Sequence, residues 1–342
     1  MLQSISIKDF RLFQDLKIDS LNRVNLITGR NNSGKTALLE ALYLLFGNYN
    51  NLVGFPSALR SSFIRDPYGS SGPLFFDEFD SFWIWLFPQK NVTSGMKIEA
   101  TADNRTSYSV ILDEEKLSNS STEIRFIHHK DNAGLASFTI TKGSGGTGGS
   151  RPDEKSWPKL SIFSTSLSSP TEDADQFNRI AAKRGGEERV IKSLRVIEPR
   201  LQDLKYLKLG NQPLVYADIG MEDLIPTTQL GQGFTRLLRL FSEILATKSK
   251  IVLIDEIENG IYYSTMPEVW RGIAAIARQE DLQIFATTHS YECIRSAHEA
   301  FSSESHYDLA LHRLDRVGDD IKIVTYDETT LETSFEMNLE VR

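Results

Sequence analysis

The chain has 342 residues, of which 40% are hydrophobic and 25% are charged, and its formal net charge is −8. This composition is typical of a globular protein with a substantial core, and no apolar run reaches the length of a membrane span. The negative charge argues against a surface coated for nucleic acid, although a local basic stripe is compatible with it. The single cysteine, Cys293, excludes an internal disulfide and favours a cytoplasmic location, and the strand-like start predicts no signal peptide.

The N-terminal part of the chain predicts three strands and a helix. Apolar residues alternate with polar ones over residues 2–10 and 12–18, which indicates two short strands. A more apolar strand is predicted at residues 24–28, and an Ala- and Leu-rich helix at residues 36–46.

A complete P-loop lies between this third strand and the helix. Its residues are Gly29, Arg30, Asn31, Asn32, Ser33, Gly34, Lys35 and Thr36. A strand, a Gly-rich turn and a helix in this order are the context that phosphate binding requires. The glycines permit backbone angles that a Cβ would forbid, and the amides and the positive helix end face a polyphosphate. We therefore predict that all eight residues bind a nucleotide, with Lys35 on its β/γ-phosphates and the Thr36 hydroxyl on Mg²⁺.

The middle of the chain changes character several times. Residues 48–95 are rich in Asn, Ser, Gly, Pro and aromatic residues, which predicts loops with short helices. Residues 96–142 hold alternating segments, which predicts an antiparallel meander. The Gly/Ser tract at residues 143–150 is compatible with a native loop and with an engineered linker. From about 172 to 208 the pattern is helical, and residues 213–216 resemble a strand.

Two glycines, Gly231 and Gly233, open an amphipathic helix pattern within residues 227–240. A helix N-terminus of this kind suits an anion. If it faced the γ-phosphate of a nucleotide bound by a second subunit, ATP would bridge two chains. A plain helix start with small residues is the alternative.

Residues 250–256 form a buried-strand pattern that ends in two acids, Asp255 and Glu256. This is the Walker B form, in which Asp255 would hold Mg²⁺, directly or through water, and Glu256 would act as general base for the attacking water. A second apolar strand pattern, at residues 282–288, ends before His289. Because this strand should neighbour the Walker B strand, we predict that His289 senses the γ-phosphate. Cys293 follows on an apolar helix face, which favours a buried structural thiol over a catalytic one.

The order of these motifs resembles the ABC-type ATPase heads of the SMC and RecF group. The nearest likeness is to the ATPase module of OLD (overcoming lysogenization defect) nucleases and related stand-alone ATPases of prokaryotic defence systems. The resembling residues are 8–13, 29–36, 230–240, 255–260 and 287–290. The resemblance implies an α/β P-loop NTPase fold, that of an ABC-type ATPase head, with an antiparallel β lobe and an inserted helical region.

The resemblance also implies a division of the chain and an assembly. Residues 1–50 and 201–342 would form the ATPase domain, and residues 51–200 would be an inserted β meander and helical lobe. Two heads would dimerise head-to-tail around ATP, or form a higher even-numbered oligomer. Gly231 and Gly233 would then touch the partner's ATP, and residues 258–260, including Asn259, would form the D-loop across the interface.

The sequence departs from the family pattern at several positions. Gly231 stands where transport proteins of the ABC class have a serine, and Tyr262 stands where relatives often place a histidine. No Q-loop is identifiable; Gln89 is a candidate, with a plain surface loop as the alternative. Arg11 would approach the nucleotide as in SMC-type heads, or would face outward from its strand.

The residues after His289 predict secondary structure but no nuclease site. Two strands and a short helix are predicted after His289, with no Asp-x-Asp cluster of the TOPRIM nuclease type, so we expect no nuclease activity from these residues. The preferred hypothesis is an ATPase that controls a separate nuclease or toxin effector, with no membrane partner. The alternative is a RecF- or SMC-like clamp that closes on DNA. Its basic residues would be Lys183, Arg184, Arg189, Lys192, Arg195, Arg200, Lys205 and Lys208, although a solvated helix face is the favoured interpretation of these residues.

Overall fold

The computed structural model describes the greater part of the chain. The described residues are 1–47, 83–88, 95–103, 105–112, 123–141, 147–149, 157–163, 169–208, 212–247 and 249–342. Most of residues 48–95 and most of the Gly/Ser tract lie outside these ranges; within the described part of residues 48–95, one of the predicted short helices is confirmed as a 3-10 helix at Trp83–Leu86.

Sixteen strands are assigned within the described ranges. They are β1 (Leu2–Phe10), β2 (Phe13–Ile18), β3 (Val24–Gly29), β4 (Lys97–Ala102), β5 (Ser107–Leu112), β6 (Glu123–Lys130), β7 (Ala133–Thr141), β8 (Thr147–Gly149), β9 (Leu160–Phe163), β10 (Asp203–Leu207), β11 (Leu214–Asp218), β12 (Ile225–Pro226), β13 (Ile251–Ile254), β14 (Gln283–Thr287), β15 (Leu309–Val317) and β16 (Asp320–Tyr326).

Seven α-helices accompany these strands in the same described ranges. They are α1 (Lys35–Phe46), α2 (Pro170–Ala181), α3 (Gly186–Leu194), α4 (Gln232–Thr247), α5 (Met266–Gln279), α6 (Tyr291–Ser302) and α7 (Glu328–Glu336). None of them combines the length and the apolar composition that crossing a bilayer requires.

The central sheet has the strand order β16-β15-β3-β14-β13-β9. Adjacent strands in this order pair in parallel, except that the outermost strand β16 runs antiparallel to β15. Strands β3, β13 and β14 are buried along their whole length, because both faces of the sheet are covered. This explains why their sequences are continuous apolar runs rather than alternating ones.

Each face of the central sheet packs into a different hydrophobic core. Ile27, Leu253 and Phe285 point to one core, which they share with α1 and the antiparallel sheet. Alternate residues of the same strands, such as Leu26 and Ile254, point to the other core, which contains α4, α5 and α6. The molecule therefore stacks an antiparallel sheet, α1, the central sheet and a helical layer.

The antiparallel sheet has the order β2-β1-β4-β5-β6-β7-β8. The predicted meander over residues 96–142 is confirmed by β4 to β7, and the two predicted N-terminal strands are confirmed as β1 and β2, which join the same sheet. The division of the chain at residues 50 and 200 stays a prediction.

The helical pattern predicted over residues 172–208 is correct only in its first part. Helices α2 and α3 bury the expected apolar faces, including Phe177 and Val190. Residues Asp203–Leu207 are instead strand β10, because they pair with β11 in a three-stranded sheet. The predicted C-terminal strands and helix are confirmed as β15, β16 and α7.

Candidate functional site

The P-loop connects the carboxyl end of β3 to the first turn of α1. Gly34 occupies the N-cap position of α1 with φ 100° and supplies no side-chain hydrogen bond to it. The first amides of a helix have no acceptor within the helix, so here they are available to an anion. No acidic residue lies in this first turn to compete with a phosphate.

The geometry of the loop explains its two predicted glycines. Gly29 has φ +141°, and a Cβ there would lie 2.5 Å from the carbonyl oxygen of Leu314 and 2.6 Å from Oγ of Ser33. A Cβ on Gly34 would lie 2.9 Å from the ring of Phe13. Both positions therefore combine a left-handed backbone with a contact that excludes a side chain.

Lys35 lies over the loop that precedes it. Its Nζ donates to the carbonyl oxygens of Gly29, at 2.7 Å, and Arg30, at 3.1 Å. Burial lowers the pKa of Lys35, and the negative charges of Asp255, Glu256 and Glu258 oppose that shift. The P-loop lysine and the Walker B acids therefore interact electrostatically, as the predicted nucleotide site requires.

Strand order explains why these distant residues meet. Strand β14 lies between β3, which carries the P-loop, and β13, which carries Asp255 and Glu256. All three strands run parallel, so their carboxyl ends meet at one edge of the sheet. This is the edge at which open α/β sheets bind their ligands.

Asp255 is buried at this edge and is held by Thr287 at the end of β14. The Thr287 hydroxyl donates to Oδ1 of Asp255 at 2.6 Å. Burial raises the pKa of Asp255, the hydrogen bond from Thr287 opposes the rise, and the charge of Glu256 adds to it. Asp255 is thus a buried carboxyl beside the half-buried Glu256, and a cation next to it would favour its charged form.

Glu256 has an unusual backbone conformation, with φ +48°. Its N–H donates to Oγ1 of Thr287 at 2.8 Å. On the other side, Nη2 of Arg236 donates to the carbonyl oxygens of Asp255, at 3.0 Å, and Glu256, at 2.6 Å. The left-handed turn that carries the predicted general base is therefore held from two sides.

Glu258 faces its own chain. Its Oε1 accepts the backbone N–H of His289 at 2.9 Å and lies 3.1 Å from Nδ1 of the same residue. The Glu258 side chain is 13% exposed, whereas that of His289 is 57% exposed. The imidazole is thus anchored at one nitrogen and open to solvent beyond it, which suits the predicted contact with a γ-phosphate.

The signature turn lies at the start of α4. Gly231 is exposed with φ +94°, and no heavy atom of the described residues lies within 4 Å of a Cβ built there. A Cβ on Gly233 would lie 2.7 Å from the carbonyl oxygen of Gly260. Gly233 therefore has a packing role within the chain, and the contact of both glycines with a partner's ATP stays a prediction.

The loop after the Walker B acids continues to the molecular surface. Asn259 and Gly260 are exposed, and Tyr262 and Tyr263 are 66% and 61% exposed. The two tyrosine rings contact each other with centroids 4.7 Å apart. The predicted D-loop is thus accessible to another molecule, whereas Glu258 at its start is turned inward.

The predicted magnesium ligands are oxygen donors of the kind that Mg²⁺ prefers. Thr36 lies in the first turn of α1 and Asp255 ends the Walker B strand. The buried negative charge around Asp255 is the observation that fits a cation here. These residues would hold the ion together with phosphate oxygens and water.

Arg11 binds within its own chain. Its Nε and Nη2 donate to the carboxylate of Glu40 on α1 at 2.9 and 3.1 Å, and the two side chains are only 10% and 1% exposed. It lies just beyond β1 with φ 56°, so it does not face outward from a strand. The candidate Gln89 lies outside the described residues.

Several residues of the predicted basic stripe also have partners within the chain. Lys183 donates to the carbonyl oxygen of Ala246, and Arg189 pairs with Glu280. Arg195 donates to the backbone of Leu201, which is part of the loop before β10. Their positive charges are therefore partly used in holding α3 against its neighbours.

Two residues of the site carry roles that sequence reasoning did not assign. Arg236 belongs to the signature pattern and Thr287 to the strand that ends before His289, but the sequence pattern assigns a function to neither. Their hydrogen bonds depend on tertiary contacts between β14, α4 and the Walker B turn. The available signal in the sequence was that both residues lie within recognised motifs.

Comparison with known proteins places this site in a family of ATPases. A protein from Helicobacter pylori, described as an ATP/GTP phosphatase, is 27% identical over 322 residues, which cover 86% of both chains. A local match to the DNA replication and repair protein RecF of Oenococcus oeni is 48% identical over 44 residues, which span 12% of that protein.

Solved structures show the same fold at low sequence identity. The SMC head domain from Thermotoga maritima has a TM-score of 0.52 with 12% identity, covering 95% of this chain and 99% of that one. An SMC head bound to the C-winged helix domain of ScpA has a TM-score of 0.55 with 11% identity, covering 98% of this chain and 99% of that one. The predicted α/β fold of an ATPase head with antiparallel strands is thereby confirmed.

The family itself is shown by a model that matches residues 24–295, well over half of the chain. The match contains the P-loop, the signature turn, the Walker B acids and His289. The chain therefore belongs to the AAA_21 family, described as "AAA domain, putative AbiEii toxin, Type IV TA system".

Proposed function

We propose that two copies of this chain close head-to-tail around two molecules of ATP, hydrolyse them, and pass the change of state to a separate effector. One observation carries the proposal. Lys35, Asp255 and Glu256 interact at one edge of the sheet, while Gly231 of the signature turn is exposed and open. A second copy is the molecule that would bring a signature turn to this nucleotide.

The hydrolytic step would use few groups. Lys35 would neutralise charge on the transferred phosphoryl group, and Glu256 would accept the proton of the attacking water. His289, anchored by Glu258, would contact the γ-phosphate. Mg²⁺, held by Thr36 and Asp255, would supply positive charge at the β- and γ-phosphate oxygens. The Helicobacter pylori relative, described as an ATP/GTP phosphatase, supports nucleoside triphosphate hydrolysis.

Control of an effector is the finer part of the proposal. The family description mentions a toxin and a toxin–antitoxin system, and the motif order resembles OLD-type ATPases of prokaryotic defence. An SMC head of the same fold is bound to a domain of ScpA, so this fold can dock a partner protein. We therefore propose a nuclease or toxin as the effector, in the cytoplasm, with defence against phage as the setting.

Two variants and one control test the ATPase and the dimer. Lys35→Ala should abolish ATP binding, and Glu256→Gln should retain binding but stall hydrolysis, so that ATP and Mg²⁺ convert it to a stable dimer. Glu336→Gln, at an exposed position on the end of α7, is the control and should behave as the unchanged protein. Light scattering after size exclusion measures mass, and phosphate release measures turnover. Hydrolysis at the normal rate by Glu256→Gln would contradict the assignment.

A RecF-like clamp on DNA is a second candidate, supported by the local similarity to RecF. The intrachain partners of Lys183, Arg189 and Arg195 argue against it. Filter binding with duplex DNA at 50 and 200 mM salt distinguishes the two. Phosphate contacts would weaken steeply with salt, whereas binding that is absent at both concentrations would remove this candidate.

A further inference from the structure

Arg236 links two motifs that act on different nucleotides in the proposed dimer. It lies on α4, shortly after Gly231 and Gly233 of the signature turn. Its guanidinium reaches across to the Walker B turn of the same chain, where one nitrogen donates to the carbonyl oxygens of both Asp255 and Glu256. The helix that begins at the signature is therefore bonded to the backbone that carries the general base.

The backbone of Glu256, which accepts one of these hydrogen bonds, has a strained conformation. Glu256 has φ +48°, a conformation that costs a non-glycine residue free energy and persists only when its surroundings impose it. Thr287 holds its N–H, and Arg236 holds its carbonyl oxygen. Loss of either contact leaves the turn free to relax toward a right-handed conformation and to move the carboxylate.

The charges around Arg236 suit a held guanidinium. Burial disfavours its charged form, while the nearby carboxylates of Glu258, Glu256 and Asp255 favour it. A second contact ties the same two elements together, because Gly233 approaches the carbonyl oxygen of Gly260 too closely to admit a side chain. The start of α4 and the loop at residues 255–260 are therefore joined by two direct contacts.

We propose that Arg236 is a positioning residue for Glu256 of its own chain, through which the signature turn acts on the ATP site of the same subunit. The proposal rests on the head-to-tail dimer only for its second clause. A nucleotide bound by the partner and in contact with Gly231 would shift the start of α4. Because Arg236 is bonded to the Walker B turn, that shift would change the position of the Glu256 carboxylate. Each ATP site would thus respond to occupation of the other.

The first test compares matched variants on one helix. Arg236→Gln should lower kcat on the order of 10- to 100-fold, because a misplaced general base is costly, with KM changed less than about threefold. Arg239→Gln, also on α4 and near Asp173 instead of the Walker B turn, is the control and should retain kcat. Arg236→Lys keeps a cation that can donate to carbonyl oxygens, and should recover most of the lost rate. Equal rates in Arg236→Gln and Arg239→Gln would overturn the proposal.

The second test asks whether Arg236 acts on its own site or on the partner's. In a mixture of Arg236→Gln and Glu256→Gln subunits, the mixed dimer has one intact Glu256, and that site lies in the chain without Arg236. In a mixture of the double variant with unchanged subunits, the intact Glu256 lies in a chain with its Arg236. The proposal expects the second mixed dimer to be at least about tenfold faster than the first. The reverse order would overturn it and would place Arg236 in the partner's site.

The experiments distinguish failure of the ATP-dependent dimer from failure of the positioning role of Arg236. If Glu256→Gln forms no dimer with ATP, the mixtures cannot rank the two arrangements and the proposed function fails, yet the single-chain comparison of Arg236→Gln with Arg239→Gln still decides the positioning role. If Arg236→Gln melts too low to assay, Arg236→Met, which keeps the aliphatic stem but cannot donate to the carbonyl oxygens of Asp255 and Glu256, replaces it in both tests. An Arg236→Lys variant that regains most of the lost kcat would support the positioning role, and one no faster than Glu256→Gln would overturn it.

Discussion

His312 makes the stability of this fold sensitive to acid. It lies buried in β15, with Nε2 3.2 Å from Oδ1 of Asn25 and Nδ1 3.0 Å from Oγ1 of Thr325. The Asn25 oxygen can only accept, so Nε2 carries the proton and Nδ1 accepts the threonine hydroxyl. Burial lowers the pKa of His312 to about 4, so the folded chain holds a neutral imidazole at neutral pH.

The sign and size of the effect follow from linkage. An unfolded histidine titrates near 6.5, so as the pH falls the unfolded chain takes up the proton first. The stabilising difference is fully present above about pH 6.5 and is lost as the pH falls toward the folded value of about 4. The whole difference is on the order of 3 kcal/mol, of which about 2 kcal/mol is lost between pH 7.5 and pH 5.

The assay is urea unfolding at pH 7.5, 6 and 5. His312→Gln removes the titrating group, so its free energy of unfolding should fall about 2 kcal/mol less between pH 7.5 and pH 5 than that of the unchanged chain. His306→Gln, at an exposed position, is the control and should follow the unchanged chain. His128, whose pKa burial also lowers to about 4, keeps its own contribution in both variants. A pH dependence in His312→Gln equal to that of the unchanged chain would refute this reasoning.

Three further outcomes can be measured with simple variants. Gly233→Ala should lower kcat at least about tenfold in a phosphate-release assay, because the new Cβ would displace the carbonyl oxygen of Gly260. Gly231→Ala meets no described atom within 4 Å, so its cost should come from backbone strain alone, because φ 94° and ψ 165° suit only glycine; we expect a loss on the order of 1–3 kcal/mol of unfolding free energy in urea, together with a weaker ATP-dependent dimer. Cys293 is buried, and burial raises the pKa of its thiol. Ellman's reagent should therefore react with it only after denaturation; reaction within minutes in native buffer would contradict that burial.

Much of the site could be predicted because its motifs are local. The P-loop needs a strand, two glycines and a helix in succession, and each leaves a pattern within a few residues. The strands β3, β13 and β14 are buried on both faces, so their apolar runs are visible in the sequence. The three strands lie side by side in the sheet, and the motifs follow their carboxyl ends, where open α/β sheets bind ligands.

The parts that could not be predicted depend on distant contacts. Arg236 follows the glycines of an amphipathic helix and lies on its polar side, where solvent is the ordinary expectation for an arginine. It is drawn inward by the carbonyl oxygens of a turn about twenty residues away. The helical prediction for Asp203–Leu207 was wrong for a similar reason. These residues form strand β10 by pairing with β11, and their own sequence pattern is weak.

The strained turn at Glu256 connects these two observations. A non-glycine residue with a left-handed φ costs on the order of 1–3 kcal/mol, so nothing in the local sequence favours it. The turn exists because Thr287 and Arg236 occupy its N–H and carbonyl groups, and those residues come from β14 and α4. The predicted general base is thus held by three separate segments of chain, of which only one contains it. An element that holds a carboxylate in place can also release it, so the proposed contact on the exposed start of α4 would have a direct physical route to the rate of hydrolysis in the same subunit.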